Sequence, residues 1–183
     1  MSEVRDEQLD AQREALRRTA LAQIRQYGDP ALRLEARLVE DFDDDLARLV
    51  RRMKRLMIDA NGVGLAATQV GVVRRVVVFQ ETPEEEPRAL VNPVVVERGE
   101  ETTADEGCLS LQGVLVPVER AATVTVEAKD ETGADVRLEL EEPTARVVQH
   151  ELDHLDGVLI IDRTTPEARR EALSVLRPRV ALV

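Results

Sequence analysis

Two histidines and a glutamate near the carboxyl end of the chain have the spacing of a metal-binding helix. Residues 149–157 read Q-H-E-L-D-H-L-D-G, and the chain has no other histidine. At 3.6 residues per turn, His150 and His154 stand one turn apart on one helix face, so two imidazoles can be directed at one ion. Glu151 follows the first of them and can hold a water molecule and take its proton. This stretch predicts a hydrolytic metal site.

A site of this kind needs a third protein ligand. A third histidine is excluded by the count, so a carboxylate or the single cysteine remains. Cys108 lies in the stretch E-G-C-L-S, between small and acidic residues with strand-like sequence on either side. We assign Cys108 as the third ligand. Two imidazoles and one thiolate suit Zn²⁺ on coordination chemistry alone.

Composition limits the classes of protein to which the chain can belong. A length of 183 residues with 43% hydrophobic residues fits one compact domain with a core of Val, Leu, Ile and Ala, because aromatic residues are only 2%. The formal charge of -11 argues against direct nucleic-acid binding, which requires a basic face. We expect no membrane partner and a reducing cytoplasm, because there is one cysteine, no apolar run like that of a signal peptide and no stretch of spanning length.

The elements that position these residues follow from periodicity and turn signals. The sequence predicts an N-terminal helix over 7–18, a turn at 27–30, a strongly amphipathic helix after the acidic residues 41–45, and a final helix from Pro166 to about Leu176. Pro143 and Gly157 can bound the metal-bearing helix. Strands are predicted over 75–80, 89–97, 114–118, 123–128 and 135–140, with a further short strand over 159–162.

These elements favour an α+β fold in a single domain. Strands cluster in the middle of the chain, with a helix before them and helices after them, and there is no regular strand-helix alternation. We therefore expect largely antiparallel sheets packed around a central metal-binding helix.

Three stretches give the chain a resemblance to a known family. Residues 62–69 read G-V-G-L-A-A-T-Q, and with residues 106–110 and 149–157 they resemble the motifs of bacterial peptide deformylases, in order and at compatible separations. The similarity extends more loosely over 24–161. Residues 1–20 look like a helical extension in front of a catalytic domain over 21–183.

The resemblance implies a metal-dependent enzyme that removes the formyl group from the N-terminal formylmethionine of nascent polypeptides and releases formate. It implies that Cys108, His150 and His154 bind the metal, with water in the fourth position. It also implies that Glu151 is the general base for that water and then the general acid toward the leaving amine. The physiological ion would be Fe²⁺, with Zn²⁺, Ni²⁺ or Co²⁺ able to replace it.

The resemblance also implies roles for residues outside the metal centre. The Gln69 amide and the Leu109 N–H would stabilise the oxyanion, and Gly64 would lie at the catalytic centre. Val63 and Gly107 would offer backbone groups to a formylmethionyl peptide bound as an added strand. Glu106 is expected to order the metal-site loop through hydrogen bonds.

The C-terminal helix and some individual positions carry further expectations. The arginines 169, 170, 177 and 179 suggest docking on the ribosome, although arginines near a helix end also simply complement its dipole. Gln112 and Leu115 depart from the family pattern near the substrate, and Arg120 is expected to start the strand that follows. Two other functions remain open: a zinc peptidase with a downstream glutamate or histidine ligand, and a binding protein with a structural metal closed by four ligands.

Overall fold

The computed structural model describes residues 2–177, with side chains from residue 10 onward. Within this range, the helices are α1 (Ser2–Leu21), α2 (Asp44–Asp59), α3 (Thr144–Leu155) and α4 (Pro166–Leu176). The strands are β1 (Gly64–Ala66), β2 (Val76–Phe79), β3 (Arg88–Arg98), β4 (Glu101–Gly107), β5 (Leu115–Ala121), β6 (Thr123–Lys129) and β7 (Asp135–Glu141). Short 3-10 helices cover Pro30–Arg33, Ala67–Val70 and Ile160–Asp162. No helix in this part of the chain is long and apolar enough to cross a bilayer.

The strands form two antiparallel sheets, as the sequence predicted. One sheet has five strands in the order β1-β2-β3-β6-β7, and β4 pairs with β5 in a separate two-stranded sheet. Within the described residues, β1 and β4 therefore each have one unpaired edge. The predicted α+β class is confirmed.

The helices α2 and α3 cover opposite faces of the larger sheet at β2. Val76 and Val78 pack with the apolar stripe of α2, whereas Val77 and Phe79 pack with α3. A strand that is buried on both faces reads as a continuous apolar run, which explains the sequence of β2. The α2 stripe was predicted correctly, and Asp43 caps the helix by accepting a hydrogen bond from the Leu46 N–H at 3.0 Å.

The helix α3 is held so that one side covers the sheet and the other carries two of the predicted metal ligands, His150 and His154. Val148 and Leu155 are buried against the sheet. His150 lies two residues from Val148, about 200° around the helix, and so projects from the other side. The helix ends before Gly157, whose φ of 70° requires glycine, and an added Cβ there would lie 2.8 Å from the Arg33 carbonyl oxygen.

Three details of the predicted elements were wrong or missing. The predicted short strand over 159–162 is a 3-10 helix, because the Asp162 carboxylate accepts a hydrogen bond from the Leu159 N–H at 2.9 Å and closes a tight turn. Arg120 does not start a strand: it is the second-last residue of β5. The strands β1 and β4 were not predicted, since one is made of small residues and the other is polar and mostly exposed.

The division of the chain at residue 20 stays a prediction. In the structure, α1 packs against the rest of the protein at its C-terminal end. Ala20 is buried and Leu21 is partly buried in the core that α2 shares with the larger sheet.

Candidate active site

The structure brings the three predicted metal ligands together. One ligand atom from each of Cys108, His150 and His154 lies within 4.8 Å of the other two. The Cys108 Sγ is 3.2 Å from the His154 Nε2, and the two imidazole centroids are 5.0 Å apart. Both imidazoles come from α3, and the thiol follows directly after β4. Residues separated by about forty positions in sequence thus converge on one point.

The imidazole of His150 is oriented by Glu106. Its Nδ1 lies 2.9 Å from the Glu106 Oε2, so a proton on Nδ1 leaves Nε2 as the nitrogen available to a metal. Burial alone would raise the pKa of Glu106, but hydrogen bonds from His150 and Arg120 outweigh it and lower that pKa to about 2. Glu106 is therefore a carboxylate, in the orienting position expected for it from the sequence.

Glu106 is held in place by a network of buried ion pairs. Arg120 donates to both of its oxygens, at 2.6 and 3.0 Å, and also to Asp153 on α3 at 2.9 Å. Arg146 on α3 donates to Glu106 at 3.1 Å. Sequence reasoning missed these contacts. The signal was the alternation in β5, where Val116, Val118 and Arg120 share the buried face.

The electrostatics of the site fit a cation. Although burial opposes it, hydrogen bonds to Cys108 and Glu106 hold the pKa of His150 well above its usual value. The surroundings of His150 thus favour a positive charge, and a bound cation would take the place of that proton. Burial lowers the pKa of His154 well below its usual value, so that imidazole is neutral, as a ligand must be. One thiol and two imidazoles are also a suitable donor set for a divalent transition-metal ion. The residues therefore fit the metal that the sequence predicted.

Glu151 lies beside these ligands and is packed against β1. Its side chain is buried, and within the described residues its Oε2 has no hydrogen-bond partner. Burial raises the pKa of Glu151 to about 7. A Cβ added to Gly64 would lie 2.4 Å from the Glu151 Oε1, which explains why glycine occupies that position. The carboxylate is thus held against β1 with one buried oxygen that has no partner in the described part of the chain.

The Gln69 side chain is fixed at the same centre. Its Oε1 accepts from the Ala66 N–H at 2.8 Å, which turns Nε2 toward the Ser110 Oγ at 3.1 Å and the Cys108 Sγ at 3.7 Å. The Leu109 N–H, one residue after the thiol, has no main-chain acceptor in the described part of the chain. Two neutral N–H donors therefore lie next to the metal-binding residues.

A cavity of about 530 Å³ gives access to this centre. It is lined on one side by Val63 and Gly64, at and just before β1, and on the other by Gly107 at the end of β4. Val63 is 58% exposed, and its carbonyl accepts from the Gln80 N–H at 3.0 Å. Of the two departures from the family pattern, Gln112 lines the cavity and donates to the Gln26 side chain at 2.9 Å, and Leu115 is exposed.

Taken together, the fold and the site define a metal-dependent hydrolase. Two histidines one helical turn apart and a cysteine form a candidate metal site with three protein donors, the number typical of catalytic metal sites, with a buried carboxylate beside it.

Comparisons with known proteins identify the family. The polypeptide deformylase family profile matches residues 21–170. A peptide deformylase of Dictyoglomus turgidum is 44% identical over 148 residues, covering 81% of this chain and 95% of that protein. One from Neisseria gonorrhoeae is 47% identical over 145 residues, covering 79% and 87%. The chain belongs to the peptide deformylase family, enzymes that remove the N-formyl group from nascent polypeptides.

Solved structures agree with this assignment. A crystal structure of a peptide deformylase from Legionella pneumophila has a TM-score of 0.81 at 40% identity, covering 84% of this chain and 91% of that one. A peptide deformylase from Synechococcus elongatus in complex with actinonin gives 0.79 at 39% identity, covering 85% and 91%. The predicted family and fold are therefore confirmed.

Proposed function

We propose that this protein hydrolyses the formamide bond of N-formylmethionyl peptides with Cys108, His150 and His154 as metal ligands and Glu151 as the proton carrier. The observation that carries the proposal is the convergence of that thiol and those imidazoles beside a buried carboxylate with one unpaired oxygen. When bound, a divalent ion would polarise the formyl carbonyl and lower the pKa of a neighbouring water to roughly 7.

Glu151 handles the proton during the reaction. Its carboxylate takes a proton from the attacking water, and the same proton then passes to the amine nitrogen as the C–N bond breaks and formate leaves. Burial raises the pKa of this carboxyl, which favours its holding the proton between the two steps. Gly64 allows the carboxylate to lie close to β1, where the bond to be broken would be presented.

Gln69 and Leu109 stabilise the negative charge that develops on the formyl oxygen. The Gln69 Nε2 and the Leu109 N–H are neutral donors on a rigid backbone, so they need no reorganisation when the charge appears. Removing one such donor typically costs about 3 kcal/mol of transition-state stabilisation. Glutamine also brings no charge that would compete with the ligands for the metal.

The peptide binds as an extended strand between the free edges of β1 and β4. Val63 and Gly107 line the cavity from these two edges and offer main-chain groups, which gives affinity without fixing the peptide sequence. An enzyme that acts on many nascent chains requires that type of recognition.

The ion in the cell is proposed to be Fe²⁺, with Zn²⁺, Ni²⁺ or Co²⁺ replacing it during purification. The thiolate donates more charge than a third imidazole would, so the bound ion is a softer Lewis acid. Protein reconstituted anaerobically with Fe²⁺ is expected to be more active than protein with Zn²⁺. Equal activity with both ions would contradict this assignment.

We also infer that the enzyme works in the cytoplasm and docks on the ribosome through the C-terminal helix. The guanidinium groups of Arg169 and Arg170 both lie on the surface. Arg169 pairs with Asp162 at 3.2 Å and Arg170 with Glu167 at 3.2 Å, so each positive charge is partly neutralised by a neighbouring carboxylate. Arg179 lies outside the described residues. Ribosome co-sedimentation that is unaffected when Arg169 and Arg170 are both replaced by glutamate would contradict the docking.

The decisive experiment is formate release from a formyl-Met-Ala-Ser peptide by anaerobically purified protein, with the unformylated peptide as control. Glu151→Ala is expected to retain the metal and lose hydrolysis. Cleavage of an internal peptide bond without formate would instead indicate a zinc peptidase. Unchanged function of Glu151→Ala would indicate a binding protein with a structural metal.

A further inference from the structure

The N-terminal helix α1 forms part of the catalytic cavity. Arg17 and Leu21 of α1 line the same cavity as His150 and Glu151. The family profile begins at residue 21, so nearly all of α1 precedes the part of the chain that matches the family. A wall of this cleft therefore comes from a segment that the family comparison does not cover.

The end of α1 is fixed relative to the catalytic residues. Ala20 is 2% exposed, in the core shared with α2. The segment that follows makes three hydrogen bonds to the loops carrying the oxyanion donors. These are Arg25 N–H to the Gln69 carbonyl at 2.7 Å, Gln26 Nε2 to the Leu109 carbonyl at 3.2 Å, and Tyr27 N–H to the Ser110 carbonyl at 2.8 Å. The segment directly after α1 is thus tied to Gln69, Leu109 and Ser110 of the site.

The positive charge of Arg17 is only weakly paired with carboxylates of the protein itself. Its nearest carboxylate among the described side chains is Glu14, one turn earlier on the same exposed helix, at 3.8 Å, and its own side chain is 42% exposed. Arg146, the other arginine of the cavity wall, is engaged by Glu106, Glu142 and backbone carbonyls. Arg17 is therefore the cavity arginine that remains available to a ligand.

The charges on the cavity wall favour an anionic partner at Arg17. Glu106 and Glu151 are buried, and Asp105 on β4, which also lines the cavity, is exposed. Asp105 and Arg17 form no ion pair with each other within 4.0 Å. A peptide bound in this cavity meets the positive group of Arg17 in a protein whose overall charge is -11.

We propose that Arg17 is a specificity-determining residue that pairs with a carboxylate side chain on the peptide downstream of its formylmethionine. This inference rests on the proposed deformylation. Leu21 supplies the apolar surface against which that part of the peptide lies. Peptides with Asp or Glu near the N-terminus are then processed in preference to peptides with Lys at the same place.

The test measures formate release from formyl-Met-Ala-Xaa-Ala amides with Asp, Ser or Lys at Xaa, and from a second series with Xaa one residue later. Amidation removes the terminal carboxylate as an alternative source of negative charge. For a partly exposed ion pair, the wild-type kcat/KM for Asp over Ser is expected to be roughly twofold to fivefold, expressed in KM. The preference is expected to fade as salt is raised, because the pair is exposed to solvent.

Two variants and one control separate recognition from a structural role. Arg17→Gln is expected to bring the Asp-to-Ser ratio in both series to about one, and Arg17→Glu to favour Lys over Asp. Arg18→Gln changes the charge by the same amount on the same helix, but Arg18 does not line the cavity, so it is expected to keep the wild-type ratio. An unchanged ratio in Arg17→Gln, with the Ser peptide still deformylated, overturns this inference alone. No formate from the Ser peptide would overturn the proposed function itself.

Discussion

Replacing Gly64 with alanine tests the packing of Glu151, the carboxylate that we propose as the proton carrier. The added Cβ would lie 2.4 Å from the Glu151 Oε1 and 2.8 Å from the Val147 Cγ1, whereas ordinary contact begins near 3.4 Å. The Glu151 oxygen must therefore retreat by about 1 Å. A displacement of about 1 Å at a reacting centre typically costs about 100-fold in rate, or ~2.7 kcal/mol.

The assay is kcat for formate release at saturating formyl-Met-Ala-Ser, with metal content measured on the same samples. The loss is expected in kcat, with metal binding retained, because the substitution moves the proton carrier and leaves the ligands in place. Thermal unfolding should change much less than activity, since the closest contact is the end of a flexible side chain.

Gly107→Ala is the matched control on the opposite wall of the cleft. An added Cβ there meets its nearest neighbour at 3.6 Å, which is ordinary contact. This variant is expected to alter KM through the bound peptide and to leave kcat nearly unchanged. If Gly64→Ala retains kcat within a factor of a few, or if Gly107→Ala loses as much, the proposed placement of Glu151 is wrong.

Three further predictions concern two of the ion-pair sites of the protein and its proposed metal site. Arg120→Met removes the guanidinium that bridges Glu106 and Asp153, and it leaves each carboxylate with another partner, Arg146 for Glu106 and Arg163 for Asp153. We therefore expect a destabilisation of about 3 kcal/mol in urea unfolding, the low end for a broken buried pair. The exposed Arg137→Met, which also loses two ion pairs, should change little. A chelator should lower the unfolding temperature of wild type but not of Cys108→Ala; equal shifts in both would show that the thiol is not a ligand. Burial alone would raise the pKa of Asp162, but the hydrogen bond from Arg33 outweighs it, and the pKa is lowered. The ionised Asp162 therefore stabilises the folded state at pH values above the ordinary range of a carboxyl. This stabilisation is lost as pH falls through the lowered pKa. Asp162→Asn is therefore expected to lower the unfolding midpoint at pH 7 and to match wild type near pH 2; a difference that persists at low pH would contradict the sign.

Periodicity was sufficient for the elements whose pattern reflects burial. The apolar stripe of α2 and the continuous apolar run of β2 could both be predicted, because the burial of each element is regular along the sequence: α2 is buried on one face and β2 on both. The strands β1 and β4 were not readable. Their residues are small or polar. They are strands because they pair with β2 and β5, and this pairing is not visible in the pattern of β1 or β4 alone.

The sequence by itself determined which residues are candidates to bind a metal. The spacing of His150 and His154 fixes their common helix face, and a chain with two histidines and one cysteine has few other ways to complete the site. It also carried the motif that placed Gln69 and the resemblance that named the family.

Only the tertiary structure decided what surrounds that chemistry. It placed Arg120 and Arg146 on Glu106, and it brought Arg17 of α1 to the wall of the catalytic cavity. These contacts join residues 14 to 40 or more positions apart. No local rule encodes them, because the free energy that selects them comes from burying whole helices and sheets against one another.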